Sequence, residues 1–296
     1  MKLTDYSAVN TLKDNNIFIL DGPDGTRKIN VSDLRWAIFE GVPEMHRNIY
    51  RGKNLGTTFK TTQKNAIQSG TFSDIYIGDY WTINGVTWRV ADIDYFYGRS
   101  TLDNASEYNN DTTAGVNKHH IIVVPDSVLY KTNYNSNWNS NNYVGYVNSD
   151  VYKTGLTQAK STVASAFDNT LLNVKESLSS RINESSNLCD QIQTVMHSVD
   201  NMSQLMVFGS GLFTRTSVES KTISYETPVA TSQFKLFNLN PSFICAKAAG
   251  SPVVRDDWML RDQLPAYSAI LVDRYGQLSW TNWSNVIGVR PFAVIG

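Results

Sequence analysis

The feature that most constrains the fold is a pair of strand patterns at 76–93, joined by two turn residues. The segments 76–83 and 86–93 are rich in aromatic and β-branched residues, and Asn84-Gly85 lies between them. Two-residue hairpin turns favour Asn-Gly because both turn positions require a positive φ angle. The pattern predicts an antiparallel hairpin, so this part of the chain belongs to a sheet.

Further strands are predicted on both sides of a long middle region. A run of apolar residues at 120–125 reads as a third strand of the same sheet. Polar segments rich in Asn, Ser and Thr follow the second and third strands, and we interpret them as exposed loops. The C-terminal part of the chain predicts four more strands, at 258–261, 269–273, 278–281 and 288–295.

Two helices are predicted in the middle region, at 154–169 and at 174–182. The first helix places apolar residues on one face at a spacing of three or four. The fold class expected from these elements is α+β: a twisted antiparallel sheet with two inserted helices, closed by the C-terminal strands. The apolar face of the first helix consists of Leu156, Ala159, Val163, Ala166 and Phe167.

The N-terminal residues 1–40 predict a separate small unit. Strand patterns at 16–21 and 26–31 flank a Gly-Pro-Asp-Gly turn, and a helix capped by Ser32-Asp33 follows at 34–40. A hairpin and one helix are too small to enclose a core, so this unit must pack on another surface. We therefore divide the chain into this unit, a polar connector at 41–74 with a short helix at 61–69, and a larger domain at 75–296.

Composition excludes several classes of function. The net charge is -1 over 296 residues, and the basic residues are scattered, which argues against a nucleic-acid partner or an anionic membrane surface. No segment reaches the ~18 apolar residues that a membrane span requires, and the N-terminus has no apolar signal region. Cys189 and Cys245 are far apart, in no metal-ligand spacing, which suits a reducing cytoplasm. A disulfide between them stays open at this point.

The chain contains no recognisable catalytic constellation, so we predict a protein that is not an enzyme and needs no metal or cofactor. His119 and His120 are adjacent, and neighbouring residues of a strand point to opposite faces, so they cannot ligate one metal together. We assign them to packing or to a loop edge. Asp92 and Asp94 are spaced to share a strand face, but nothing places them across a cleft, and a solvated strand edge is the interpretation we adopt.

The domain at 75–296 resembles the C-type-lectin-like fold, in the version shared by formylglycine-generating-enzyme-like proteins and phage receptor-binding domains. The segments that carry the resemblance are GDYWTINGVTWRV at 78–90, WMLR at 258–261 and GVRP at 288–291. Two functions of this fold are not expected here. The C-terminal cysteine pair of the sulfatase-activating relatives is missing, since Cys245 stands alone in that region. The calcium-binding motifs of true lectins are also missing, so any ligand binding should be calcium-independent.

Over nearly its full length, the chain is similar to virion structural proteins of tailed bacteriophages and prophages. The N-terminal motifs behind this resemblance are LKD at 12–14, FILDG at 18–22 and GTRKI at 25–29. The resemblance implies a head fibre, capsid decoration or tail fibre protein, assembled in the bacterial cytoplasm, and by analogy a trimer. Docking onto other virion proteins would use the N-terminal unit, and our candidate residues are Phe18, Leu20, Asp21, Arg27 and Ile29.

In phage domains of this kind, the segment before the GVRP motif carries the receptor contacts. Trp280 and Trp283 are three positions apart and must face opposite sides of a regular strand, so at least one is buried. We predict that Tyr275 and Trp283 are exposed, that Trp258 and Leu260 belong to the core, that Arg261 pairs with a carboxylate, and that Arg290 holds the last strand. The full candidate set for binding a host-surface glycan or protein is Tyr267, Asp273, Arg274, Tyr275, Trp280, Asn282, Trp283 and Asn285. The alternative is a purely structural capsid or tail component without a ligand.

Overall fold

A computed structural model of the chain describes residues 17–22, 25–31, 34, 43–97, 118–136, 144–167, 170–182, 189–209, 232–264 and 268–296. The described fold is α+β and rich in strands, as the sequence predicts. The strands are β1 (Ile17–Gly22), β2 (Gly25–Asn30), β3 (Asn54–Gly56), β4 (Tyr80–Ile83), β5 (Val86–Ile93), β6 (Ile121–Pro125), β7 (Tyr130–Asn133), β8 (Val174–Ile182), β9 (Cys189–His197), β10 (Val199–Asn201), β11 (Ala246–Lys247), β12 (Arg255–Asp256), β13 (Trp258–Leu264), β14 (Ser268–Val272), β15 (Leu278–Asn282), β16 (Val286–Val289) and β17 (Pro291–Ile295).

The helices are short and lie between the strands. Those of α type are α1 (Pro43–Asn48), α2 (Thr61–Gln68), α3 (Thr157–Ala166), α4 (Gln204–Phe208) and α5 (Lys235–Leu239). Short 3-10 segments run over Tyr146–Asn148 and Pro241–Ile244, and a π-helical turn covers Val151–Gly155. None of the helices in the described part of the chain is long and apolar enough to cross a membrane.

Two larger sheets organise the fold, where the sequence predicted a single antiparallel one. The first has six strands in the order β10-β17-β6-β5-β4-β3, and the second has five in the order β15-β14-β13-β16-β7. Both are mixed, because β3 pairs parallel to β4 and β13 pairs parallel to β16. Separate two-stranded sheets are formed by β1-β2, β8-β9 and β11-β12.

The predicted hairpin at 76–93 is confirmed as β4 and β5. Asn84 and Gly85 have φ angles of 51° and 79°, which is the pair of positive values that the Asn-Gly turn supplies. The hairpin contributes Trp81 and Trp88, both fully buried, to the core. Their rings contact Phe167 edge-on, with centroids 5.9 and 5.8 Å away, so the hairpin packs against the end of α3.

The first predicted helix is confirmed, and the second is wrong. All five apolar residues of the predicted face at 154–169 are buried, and α3 lies within that range. The segment Val174–Ile182 is a strand that pairs antiparallel with β9 over its whole length. Its apolar residues Val174 and Leu178 have a spacing of four, which suits a helix, but the buried positions also include Glu176, midway between them. Burial of every second residue is the pattern of a strand. Here the buried set includes a charged residue, which needs a partner from a distant part of the chain.

The C-terminal segment predicted as one strand at 288–295 is divided between the two sheets at Arg290. β16 pairs with β7 and β13, whereas β17 pairs with β6 and β10. The fully buried Arg290 donates from Nε to the Pro125 carbonyl at 2.8 Å and from Nη1 to the Phe243 carbonyl at 2.8 Å. Burial lowers the pKa of its guanidinium to about 10. The expectation that Arg290 holds the last strand in place is therefore correct.

The predicted connector at 41–74 contributes residues to the same core. Its predicted short helix is confirmed as α2, and β3 joins the six-stranded sheet. Leu55, Ile67 and Phe72 from this segment are buried among the core residues. In the N-terminal unit, β1 and β2 form the predicted hairpin, while most of the predicted helix at 34–40 lies outside the described residues.

Candidate functional site

The predicted binding segment begins with a tight turn at Asp273. The Asp273 Oδ1 accepts hydrogen bonds from the backbone N–H groups of Tyr275 and Gln277, both at 2.9 Å. Gly276 provides the positive φ, 82°, that closes the turn. The Oδ1 atom of Asp273 is therefore a structural acceptor that shapes the turn.

Two aromatic side chains project into solvent from this turn and the strand after it. Tyr275 is 74% exposed and Trp280 is 60% exposed. Trp280 lies on β15, which is the edge strand of the five-stranded sheet, opposite the buried Ile270 of β14. Large exposed rings at a sheet edge are the side chains that most often anchor a partner or stack on a sugar face.

Trp283 is buried, so the prediction that it is exposed is wrong. Its side chain is only 4% exposed, and its ring stacks on Tyr134 with centroids 5.9 Å apart. The Trp283 carbonyl also accepts from the backbone N–H of Tyr134 at 2.9 Å. The prediction that at least one of Trp280 and Trp283 is buried is confirmed, as is the core assignment of Trp258 and Leu260.

The remaining candidates are either exposed on the same segment or lie outside the described residues. Asn282 and Asn285 are exposed, and Asn285 donates from Nδ2 to the Thr281 hydroxyl at 2.6 Å. Arg274 is exposed and its backbone N–H donates to Asp257 Oδ1 at 2.9 Å. Tyr267 lies outside the described residues. The structure thus leaves five of the candidates exposed on the segment 273–285: Arg274, Tyr275, Trp280, Asn282 and Asn285.

The N-terminal candidates are placed by backbone pairing. The register of the hairpin sets Phe18 opposite Ile29 and Leu20 opposite Arg27. Asp21 pairs with Thr26 one position nearer the turn. Two directly opposed pairs therefore account for four of the five proposed docking residues.

A second group of polar side chains is buried, and most of it is not predicted from the sequence. Arg261 on β13 donates from Nη1 to Glu176 Oε2 at 2.9 Å and from Nη2 to Glu176 Oε1 at 3.1 Å. His197, at the end of β9, has its Nε2 atom 2.7 Å from the same Oε2 atom. All three side chains are almost fully buried. The carboxylate that the sequence left unnamed for Arg261 is therefore Glu176.

Asp200 on β10 completes this group, which we call the buried cluster: Glu176, His197, Asp200 and Arg261. The Asp200 Oδ2 lies 3.5 Å from Arg261 Nη1, and its Oδ1 accepts from the Tyr146 hydroxyl and from the backbone N–H of Asn201. Ligand atoms of Glu176, His197 and Asp200 all lie within 4.8 Å of one another. Four strands, β8, β9, β10 and β13, thus converge on one polar point.

The two carboxylates of the buried cluster have pKa values that are shifted in opposite directions. Burial alone would raise the pKa of Glu176, but the charges of Arg261 and His197 outweigh it and hold this pKa at about 2. Burial raises the pKa of Asp200, and His197 and Arg261 offset only part of that effect. Asp262, next to Arg261, accepts from the Gln204 backbone N–H at 2.6 Å, and burial raises its pKa to about 6.

The buried cluster is connected to the base of the exposed segment through aromatic contacts. Tyr134, which stacks on Trp283, also donates from its hydroxyl to the Arg261 carbonyl at 3.2 Å. Its ring lies 6.2 Å from that of Tyr146, and Tyr146 is hydrogen-bonded to Asp200. The segment that carries Trp280 is therefore anchored on side chains that touch the cluster.

The histidine and aspartate pairs singled out in the sequence are structural. Asp92 is fully buried and ion-paired with Arg47 at 2.6 Å, so its assignment to a solvated strand edge is wrong. Asp94 follows β5 with a φ of 53° and bonds to His119 Nδ1 at 2.7 Å. His120 is buried and its Nε2 accepts from the Phe96 N–H at 3.0 Å, as expected for a packing role.

Cys245 is a free cysteine, partly buried, and the side chain of Cys189 lies outside the described residues. Comparison of the chain with protein-family models finds no match, and neither do comparisons with curated proteins and with solved structures. The function is therefore inferred from the residues of this chain.

Proposed function

We propose that the protein is a non-enzymatic accessory component of a bacteriophage virion, of the head fibre, decoration or tail fibre type. It docks on the particle through residues 1–40 and displays a C-type-lectin-like domain that binds a host-surface glycan or protein. The N-terminal motifs and the three segments of the larger domain support this proposal by resemblance. The single observation that carries the binding function is the exposure of Tyr275 and Trp280 at the edge of the five-stranded sheet.

The chemistry of this surface suits binding more than catalysis. Exposed aromatic rings offer flat faces to sugars or protein pockets, and covering such a ring with a ligand costs little free energy. Arg274, Asn282 and Asn285, exposed on the same segment, add donors and acceptors that can satisfy hydroxyl or amide groups of a ligand. The acidic side chains that could assist hydrolysis, Glu176 and Asp200, are buried and bonded to other side chains of the protein.

Binding is tested by labelling the purified full-length chain and measuring its adsorption to cells of the bacterium that the phage infects. Tyr275→Ala and Trp280→Ala should each reduce adsorption at least tenfold without changing the melting temperature. Val286→Ala is the matched control, because Val286 is also a large exposed apolar residue of the same sheet. Equal adsorption of all four proteins, or none by the wild type, would leave a purely structural virion component as the function.

The docking role is tested separately. A chain without residues 1–40 should fold and adsorb to cells but fail to join particles, and sedimentation of the intact chain should show a trimer. Incorporation of the shortened chain into particles at the wild-type level would refute the division into a docking unit and a displayed domain.

A further inference from the structure

We propose that Glu176, His197 and Asp200 form a binding site for one divalent transition-metal ion, of the Zn²⁺ class, in the interior of the fold. The three side chains come from β8, β9 and β10, and their ligand atoms lie within 4.8 Å of one another. An imidazole nitrogen with two carboxylates is a ligand set that suits Zn²⁺ and its neighbours, whereas Ca²⁺ and Mg²⁺ prefer oxygen ligands alone.

The imidazole of His197 is buried, and neither of its ring nitrogens makes a well-directed hydrogen bond among the described residues. The Nε2 and Oε2 atoms are 2.7 Å apart, yet Nε2 has no well-directed hydrogen-bond partner among the described residues. The ring nitrogen and the carboxylate oxygen are thus close together without the N–H pointing along the line that joins them. A metal ion bound through Nε2 would give this nitrogen a directed partner, and Oε2 would move out to the usual ligand spacing of about 3.3 Å.

A buried oxygen of Asp200 is the independent observation that points to a cation. Within the described part of the chain, Asp200 Oδ2 is buried and accepts no hydrogen bond, and its contact with Arg261 Nη1 is long, at 3.5 Å. The other oxygen, Oδ1, accepts from Tyr146 and Asn201, which fixes the orientation of the carboxylate. A buried carboxylate oxygen without a hydrogen bond is destabilising even with an arginine 3.5 Å away, and a metal ion would offset that cost.

Arg261 is a cation already placed beside the site. Its two N–H groups occupy two of the four lone-pair positions of the Glu176 carboxylate, and its Nη1 atom lies 3.5 Å from Asp200 Oδ2. An ion bound by Oε2 would share that oxygen with Arg261. Arg261 and Tyr146 would hold the carboxylates of Glu176 and Asp200 in place, as outer-shell partners of metal ligands do.

The consequence is a structural ion beneath the exposed segment. It would join the β8-β9 hairpin to β10, and through Tyr146 and Tyr134 it would stiffen the base on which Trp283 is stacked. Because the site is enclosed, the ion would be taken up as the chain folds, so its binding would appear as stability of the folded state.

The test is a titration of chelator-treated full-length protein with Zn²⁺, Mn²⁺, Ca²⁺ and Mg²⁺, followed by calorimetry, thermal melting and elemental analysis. We expect one Zn²⁺ or Mn²⁺ per chain and a rise in melting temperature of several degrees, both lost in His197→Gln and Asp200→Asn. Asp126→Asn is the matched control, since it breaks another buried pair, Arg89–Asp126, and should keep the metal.

Two results would overturn the site: no stoichiometric uptake by the wild type, or the same uptake by both cluster variants. Uptake of Ca²⁺ or Mg²⁺ alone would also contradict a site built on an imidazole nitrogen. If the variants fail to fold, the visible absorption spectrum of Co²⁺ bound to the wild type decides, because nitrogen and carboxylate ligation must appear in it. Adsorption to cells is not used as a readout, so this test is independent of the proposed function.

Discussion

Arg261 holds both oxygens of Glu176 across 85 residues of sequence, in the interior of the fold, at 2.9 and 3.1 Å. The pair ties β13, the first of the C-terminal strands, to the β8-β9 hairpin. Two opposite charges with this geometry satisfy each other, but removing one leaves the other buried and uncompensated. Loss of either partner should therefore weaken the packing of the β8-β9 hairpin against β13.

Arg261→Met should destabilise the protein by about 3–5 kcal/mol, because Glu176 would keep its buried charge without a partner. The double variant Arg261→Met with Glu176→Leu should recover part of this loss, since both charges are then gone. Urea denaturation of the three proteins measures the difference. Arg274→Ala, which removes an exposed contact with Asp257, should leave the midpoint unchanged. A single variant as stable as the wild type would contradict the role given to the pair.

The two tryptophans of the C-terminal segment should respond differently to truncation. Trp283→Ala removes a buried ring stacked on Tyr134 and should cost about 3–5 kcal/mol of stability. Trp280→Ala removes an exposed ring and should change stability by less than about 0.5 kcal/mol. Thermal unfolding of both variants measures the contrast. Similar losses in the two proteins would mean that Trp280 is covered in solution, for example by another copy of the chain.

Gly145 is required by a close approach of two backbones. A Cβ atom at this position would lie 2.6 Å from backbone atoms of Ser179, Ser180 and Arg181 on β8. Gly145→Ala should therefore push β8 away and cost about 1–3 kcal/mol by overpacking. The comparison is Gly250→Ala, where the added Cβ meets open space and only the positive φ, 71°, costs about 1 kcal/mol. Hydrogen exchange should rise along β8 in the first variant alone, and unchanged exchange there would contradict the steric explanation.

Local patterns predicted the elements whose partners are close in sequence. The β4-β5 hairpin follows from Asn84-Gly85, and α3 follows from the spacing of its buried residues. β8 was mistaken for a helix because its pairing with β9 determines its structure, and Val174 and Leu178 also fit a helical period. The prediction of a single strand at 288–295 was wrong for a similar reason. Only the pairing of β16 and β17 with different sheets shows that the segment is divided at Arg290.

The candidate site was predicted only in part. Strand alternation showed that Trp280 and Trp283 face opposite sides, but which side is the core depends on Tyr134, far away in the chain. The buried cluster left almost no local signal, because Glu176, His197 and Asp200 reach each other through three different strands. One residue of the cluster gave a signal: the sequence predicts that Arg261 pairs with a carboxylate, without showing which one.

Asp262 should make stability depend on pH between about 4 and 6. Its pKa is about 6 in the folded protein, raised by burial above the ordinary 3.8, so the folded state binds the proton more tightly than the unfolded chain. Its contribution to stability is therefore complete below about pH 4 and is lost as the pH rises to about 6. Asp262→Asn cannot ionise. The free energy of unfolding of this variant, relative to wild type, should rise by about 2 kcal/mol from pH 4 to pH 7.

The measurement is urea denaturation at several pH values, in buffer that contains a chelator, for the wild type and the Asp262→Asn variant. Asp150→Asn is a control of opposite sign: hydrogen bonds from Ser136 lower the pKa of Asp150, so its contribution is present at higher pH and is lost as the pH falls. Relative to wild type, that variant should become less stable as the pH rises. A pH-independent difference for Asp262→Asn would show that Asp262 stays protonated or is solvated in the folded protein, against the enclosed geometry with Gln204.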